Sequence, residues 1–116
     1  MPVNYNALMP EADERRNGTR ISVEMWVQET RGRDVYFMRA CNVSRGGLFL
    51  EAAVPHPLGS TVILEFILPR QSRPLRVRGR IVNHPNVGGE LGMGVEFVDL
   101  DPITQRALAE FADRTT

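Results

Sequence analysis

Two short clusters hold the side chains best suited to gripping a ligand. The first is Arg15-Arg16-Asn17-Gly18-Thr19-Arg20; the second is Asn42-Val43-Ser44-Arg45-Gly46-Gly47. A guanidinium is a planar fork of fixed donors that matches the O6 and N7 acceptors of guanine, or two oxygens of a phosphate, bidentately. The amide of Asn42 offers an acceptor to the N1 and N2 donors of guanine, and Ser44 adds a short hydroxyl. Gly46 and Gly47 are expected to permit unusual backbone angles and to bring bare N–H groups close to a ligand. Either cluster alone is explained by a capped tail or an ordinary bulged turn. Together they suit an anionic guanine nucleotide, provided the fold brings them to one place.

Other chemistry finds little support. His56 and His84 each precede a proline and have no second histidine at metal-ligand spacing, so both are expected on the surface and no metal or cofactor site is expected. Ser44 does not stand in a Gly-x-Ser-x-Gly turn, and the strand it ends leads to another strand rather than to a helix. Cys41 lies within a strand pattern and reads as a small apolar residue. The glycines at 88, 89, 92 and 94 lack the spacing of a phosphate-cradling loop and feed a strand, so they read as a hairpin turn and a close strand contact. The carboxylates are scattered, mostly at outward positions. No active site emerges, and the chain is expected not to be an enzyme. The ladder Arg76, Arg78 and Arg80 reads as a solvated sheet face paired with acids such as Glu65 or Glu96; the rival reading, a nucleic-acid-binding barrel, lacks aromatic stacking platforms. Trp26 falls on the polar phase of its strand and is expected to pack beneath the C-terminal helix.

These residues sit in a chain of 116, the size of one domain with one core. Hydrophobic residues at 42% and charged residues at 24% are ordinary for a folded protein. Fourteen basic and fourteen acidic residues cancel, which argues against a general nucleic-acid or anionic-membrane binder. All fourteen basic residues are arginine, which reflects either codon usage or a need for bidentate donors. The single cysteine excludes an intrachain disulfide. Apolar runs such as Val62 to Leu68, interrupted by Glu65, are too short to cross a bilayer, and the first residues lack the pattern of a secretory signal. A cytoplasmic location without membrane insertion is the expectation.

Residues 1–13 carry two prolines and no sustained period and read as a mobile tail, leaving 14–116 as the domain. Ile21, Val23, Met25 and Val27 alternate with polar neighbours as in a half-buried strand. A turn glycine, Gly32, separates this from a second strand over 34–43, and the glycine-rich turn from a short third strand over 48–51. A proline-rich loop precedes a fourth strand over 61–68, and Leu75, Val77, Gly79 and Ile81 alternate with polar residues in a fifth. A sixth strand covers 92–100. The period then changes: Asp101 is a good N-cap, Pro102 suits the first helical position, and Ile103, Ala107, Leu108 and Phe111 share one face of a helix over 102–113. Six strands joined mainly by short turns predict an all-β fold, an antiparallel sheet closed into a barrel with the helix over one mouth or flank. The start of strand one and the end of strand two then lie at the same end, which lets the two clusters converge.

The pair of clusters resembles the PilZ domain, a family marked by Arg-x-x-x-Arg just before the first strand and Asp/Asn-x-Ser-x-x-Gly further on. Arg16 and Arg20 match the first motif; Asn42, Ser44 and Gly47 match the second. The Gly-Met-Gly-Val-Glu-Phe-Val-Asp-Leu segment and the final helix extend the resemblance from about Glu14 to Arg114. It implies a six-stranded barrel that acts as a receptor for the bacterial second messenger cyclic di-GMP, with Arg16 and Arg20 on guanine and phosphates. Asn42, Ser44 and Gly47 would contact the second guanine region and the backbone. Asn42 replaces the more usual aspartate. Arg15 is placed to stack on a guanine face, which would give a self-intercalated ligand dimer. The arginine loop is expected to order on binding and to signal to a separate, unidentified effector of motility, pili, polysaccharide export or transcription, from a monomer or weak homodimer. A PilZ-like interaction module without nucleotide binding is the alternative.

Overall fold

The computed structural model describes residues 20–52, 54–84 and 91–115; the expected tail over 1–13 and the arginine cluster as far as residue 19 lie outside these. The chain runs through β1 (Ile21–Arg31), β2 (Asp34–Val43), β3 (Gly47–Glu51), β4 (Thr61–Phe66), β5 (Leu75–Asn83), β6 (Gly92–Val98) and α1 (Pro102–Thr115). The strands form a closed antiparallel barrel in the order β1-β2-β3-β6-β5-β4. Two three-strand meanders therefore face each other, joined by β3 against β6 and β1 against β4. A single up-and-down circuit would instead have placed β3 beside β4.

Side-chain alternation accounts for the closure. In β1, Ile21, Val23, Met25 and Val27 point inward while Ser22, Glu24 and Trp26 point out. In β5, Leu75, Val77, Gly79 and Ile81 point inward and Arg76, Arg78 and Arg80 point out. The interior fills with Val27, Ala40, Leu48, Leu50, Leu64 and Met93, all fully buried. At the β1–β2 turn Gly32 has φ +63°, a conformation that side chains resist. The arginine ladder is an exposed face as expected, with two of its rungs paired: Arg76 Nη1 lies 2.8 Å from Glu65 Oε1, and Arg78 Nη1 lies 3.3 Å from Asp99 Oδ2, whereas Arg80, opposite Glu96, forms no ion pair among the described residues. Trp26 does not meet the helix. It stands 67% exposed opposite Arg39, because α1 covers a mouth of the barrel and not this flank.

The mouth that α1 closes is formed by the start of β1, the β2–β3 turn and the end of β6. Asp99, at φ 54°, turns the chain sharply after β6. Asp101 caps the helix: its Oδ1 accepts from the Thr104 N–H at 2.7 Å, and its carbonyl accepts from the Gln105 N–H at 3.0 Å. The hydrogen bonds from the Thr104 backbone and side chain hold the Asp101 carboxyl below the usual aspartate range. Thr104, Leu108, Phe111 and Ala112 face the barrel, whereas Ile103, expected on that face, is 72% exposed. The inward stripe is therefore rotated from the one the apolar residues alone suggest.

The opposite mouth is closed by the crossover from β3 to β4. That loop drops His56 into the barrel, where its Nε2 lies 2.8 Å from Oε1 of Glu29. Both side chains are buried, so the expectation of a surface His56 fails, and Glu29 is the buried exception among the described carboxylates, which otherwise lie outward or half-buried as expected. The reason is the length of β1. It keeps its alternation past Val27, which turns Glu29 inward, and the crossing loop supplies the one polar ring that reaches it. Tyr36 packs on the His56 ring at 4.8 Å between centroids, and His84 Nε2–H donates to the His56 carbonyl at 2.6 Å. His84 itself is exposed, as expected.

Burial pushes the Glu29 carboxyl above its ordinary value of 4.5, an effect that the hydrogen bond and charge of His56 offset only in part. The folded protein thus holds this proton more tightly than the unfolded chain does. The resulting contribution to stability is complete below the ordinary value and is lost as the pH rises through the folded one. Urea titrations across pH are expected to show this decline in the parent and its disappearance in Glu29→Gln, which keeps a polar partner for His56 without the titration. Superimposable pH profiles for the two proteins would contradict the assignment.

Candidate ligand site at the β2–β3 turn

Pairing of β1 with β2 sets Ile21 opposite Val43 and Ser22 opposite Asn42, with a register slip between Ser22 and Met25. Such a bulge re-aims the strand end. Arg20 enters at this point, and its Nη1 donates to Asn42 Oδ1 at 3.2 Å. The last residue of the first cluster and the first of the second are therefore in direct contact, both half-buried. Arg15 and Arg16 lie outside the described residues.

The remainder of the second cluster is a braced turn. Ser44 is buried; its N–H donates to the Gly47 carbonyl at 2.8 Å, and its Oγ accepts from the Gly46 N–H at 3.2 Å while reaching the Gly47 carbonyl at 3.4 Å. The Gly46 carbonyl accepts from the Phe97 N–H at 2.8 Å, which fastens the turn to β6. The expectation of unusual backbone angles is not met here: Gly32 and Gly59, not Gly46 and Gly47, are the described glycines with positive φ. Gly47 is required for a different reason. It runs so close to β6 that a Cβ would collide with the carbonyl oxygen of Val95. Ser44 and Gly47 thus shape the turn, while Arg45 is exposed and Gly46 half-buried at its surface.

Arg45 and Gly46 also form one wall of a groove of about 660 Å³ that continues across β6 to the first half of α1. A second cavity, about 390 Å³, lies between the start of β1, the β4–β5 loop and the end of α1. Cys41, next to Asn42, is half-buried and receives a weak contact from the Asn42 Nδ2 at 3.8 Å. Among the described residues there is no cluster of three metal-ligating side chains, and no helix is long and apolar enough to cross a membrane.

A PilZ domain family model matches residues 14–114, and the chain belongs to the PilZ domain family. No curated protein sequence matches. Among solved structures, the chain is similar to the inhibitor of motility MotI/DgrA of Bacillus subtilis, with a TM-score of 0.74 and 20% identity over 82% of this chain. It spans 47% of that protein, about half its length. It is also similar to the PilZ domain of YcgR from Escherichia coli, determined with c-di-GMP, at TM-score 0.64 and 14% identity, covering 83% of this chain and 87% of that one. The PilZ domain of CeSA from a cellulose-synthesizing bacterium gives 0.65 and 15%, covering 84% and 97%. At these identities the likeness establishes the shared barrel.

The bracing of the turn has measurable consequences for stability. Ser44→Ala removes the hydroxyl of a buried residue and leaves the half-buried Gly46 N–H without its partner, and is expected to lower stability by about 1–3 kcal/mol. Gly47→Ala forces β3 away from β6 and is expected to lower it by a similar 1–3 kcal/mol or so. Denaturant midpoints indistinguishable from the parent would show that the turn is not held in this way.

Proposed function

We propose that the protein is a bacterial receptor for cyclic di-GMP that acts as an adaptor. Arg16 and Arg20 grip guanine and phosphate, Asn42 accepts from a guanine edge, and the Ser44–Gly47 turn presents Gly46 and its neighbours to the ligand. Arg15 stacks on an exposed guanine face and favours a self-intercalated pair of nucleotides. The observation that carries this reading is the 3.2 Å contact between Arg20 and Asn42, which joins the two halves of the motif at one end of the barrel. The residue types support it as well, since a guanidinium fork and an amide are complementary to the acceptor and donor edges of guanine. YcgR, a structural neighbour, was determined with c-di-GMP bound.

The output in this reading is conformational. A dianionic ligand orders the arginine segment before β1, and the altered surface is read by a separate effector protein in the cytoplasm, such as a component of motility, pili, polysaccharide export or transcription. The receptor works as a monomer or weak homodimer. It makes no covalent change to the ligand.

Isothermal calorimetry with cyclic di-GMP tests the assignment directly. The parent is expected to bind, with two nucleotides per protomer if the self-intercalated form is taken up. Arg16→Ala and Arg20→Ala are each expected to weaken binding by about 1–3 kcal/mol. Affinity unchanged in both variants would remove the assignment, and one nucleotide per protomer would remove the intercalated dimer.

A further inference from the structure

The groove between the β2–β3 turn and α1 contains chemistry that neither sequence motif includes. One wall is Arg45 and Gly46, the base is Glu96 and Phe97 of β6, and the far wall includes Gln105 and Arg106 of α1. Its volume, about 660 Å³, is that of a small-molecule site. Gly46 belongs both to this groove and to the motif turn, so the groove adjoins the turn that carries the second cluster.

Glu96 is the informative residue. Glu24, Glu51 and Glu65, on other strands, each lie within ion-pair distance of an arginine. Glu96 stands in register with Arg80 on β5, yet among the described residues it forms no ion pair. Arg45 and Arg106 likewise form none among the described residues. One carboxylate and two guanidinium groups thus border a single groove with no ion-pair partner among the described residues, beside the apolar surfaces of Phe97 and Leu100.

We infer that this groove is a guanine subsite, with Glu96 reading the base edge and Arg45 and Arg106 holding its acceptor side or the attached phosphate. The inference rests on the nucleotide reading above and extends it from the motif residues to β6 and α1. Guanine presents two adjacent donors, N1–H and N2–H, which a carboxylate accepts with its two oxygens. Adenine presents an acceptor and a donor at the same edge, so a carboxylate there opposes it. The guanidinium forks match O6 and N7, or phosphate oxygens. Glu96 therefore acts as a determinant of base specificity, and Arg106 adds a contact from the helix.

Calorimetry on the full chain with cyclic di-GMP and cyclic di-AMP, alongside thermal unfolding, tests this. Glu96→Gln replaces one of the two acceptors by a donor that faces a guanine donor. It is expected to weaken cyclic di-GMP binding at least tenfold and to narrow the preference over cyclic di-AMP, with an unchanged melting midpoint. Arg106→Ala, on the exposed face of α1, is expected to weaken cyclic di-GMP binding about tenfold and serves as the deciding variant if Glu96→Gln unfolds. If both variants bind like the parent while Arg20→Ala does not, the groove is no subsite and the receptor reading stands. If the parent itself fails to bind cyclic di-GMP, both proposals fall.

Discussion

The close approach of β3 to β6 at Gly47 is the constraint on which the site depends. With no room for a Cβ against the Val95 carbonyl, the two strands draw together and the turn before β3 is pressed onto β6. The hydrogen bond from the Phe97 N–H to the Gly46 carbonyl then fixes the height of the turn, and the Ser44 hydroxyl fixes its shape from within. Asn42 inherits a defined position from this anchoring, one residue pair away from the point where Arg20 enters β1. Under the proposed function a ligand would meet these groups already oriented, which reduces the ordering that binding requires.

The two mouths of the barrel solve the same problem by different chemistry. At one, the amphipathic face of α1 covers the core with Leu108, Phe111 and Ala112, and the Asp101 cap holds the start of the helix in place. At the other, the crossover from β3 to β4 has no helix to contribute, and a buried glutamate–histidine pair fills the opening. Within that pair the Oε2 of Glu29 has no hydrogen-bond partner among the described residues, which is consistent with a carboxyl driven toward its neutral form by burial. The candidate site lies at the helix-capped mouth, so the motif turn, the end of β6 and the first half of α1 share one surface.

Much of this was legible in the chain itself. Alternation of apolar and polar residues in β1 and β5 placed the strands and their inward faces, because a strand's period of two writes burial directly into sequence. Asp101 followed by Pro102 marked the helix start for a local reason, the unsatisfied N–H groups of a first turn. The adjacency of Arg20 to the Asn42 cluster also followed from local logic, since a hairpin returns the end of its second strand to the start of its first. All of these depend on neighbours in sequence or on one tight turn.

What only the tertiary structure decided lies where strands distant in sequence meet. The order β1-β2-β3-β6-β5-β4 sets Gly47 against Val95 and Glu96, a pairing across half the chain that no local period encodes. Burial of His56 depends on the path of a loop over an open mouth, and Glu29 became an inward residue because β1 runs further than its clearest alternation. Trp26 remained exposed and Ile103 turned outward because α1 settled over the barrel end at an angle set by Leu108 and Phe111. The groove that brings Glu96 to Arg45 and Arg106 exists only once β6 and α1 are both packed beside the turn, because surface concavity is a property of how elements are arranged and not of any one of them.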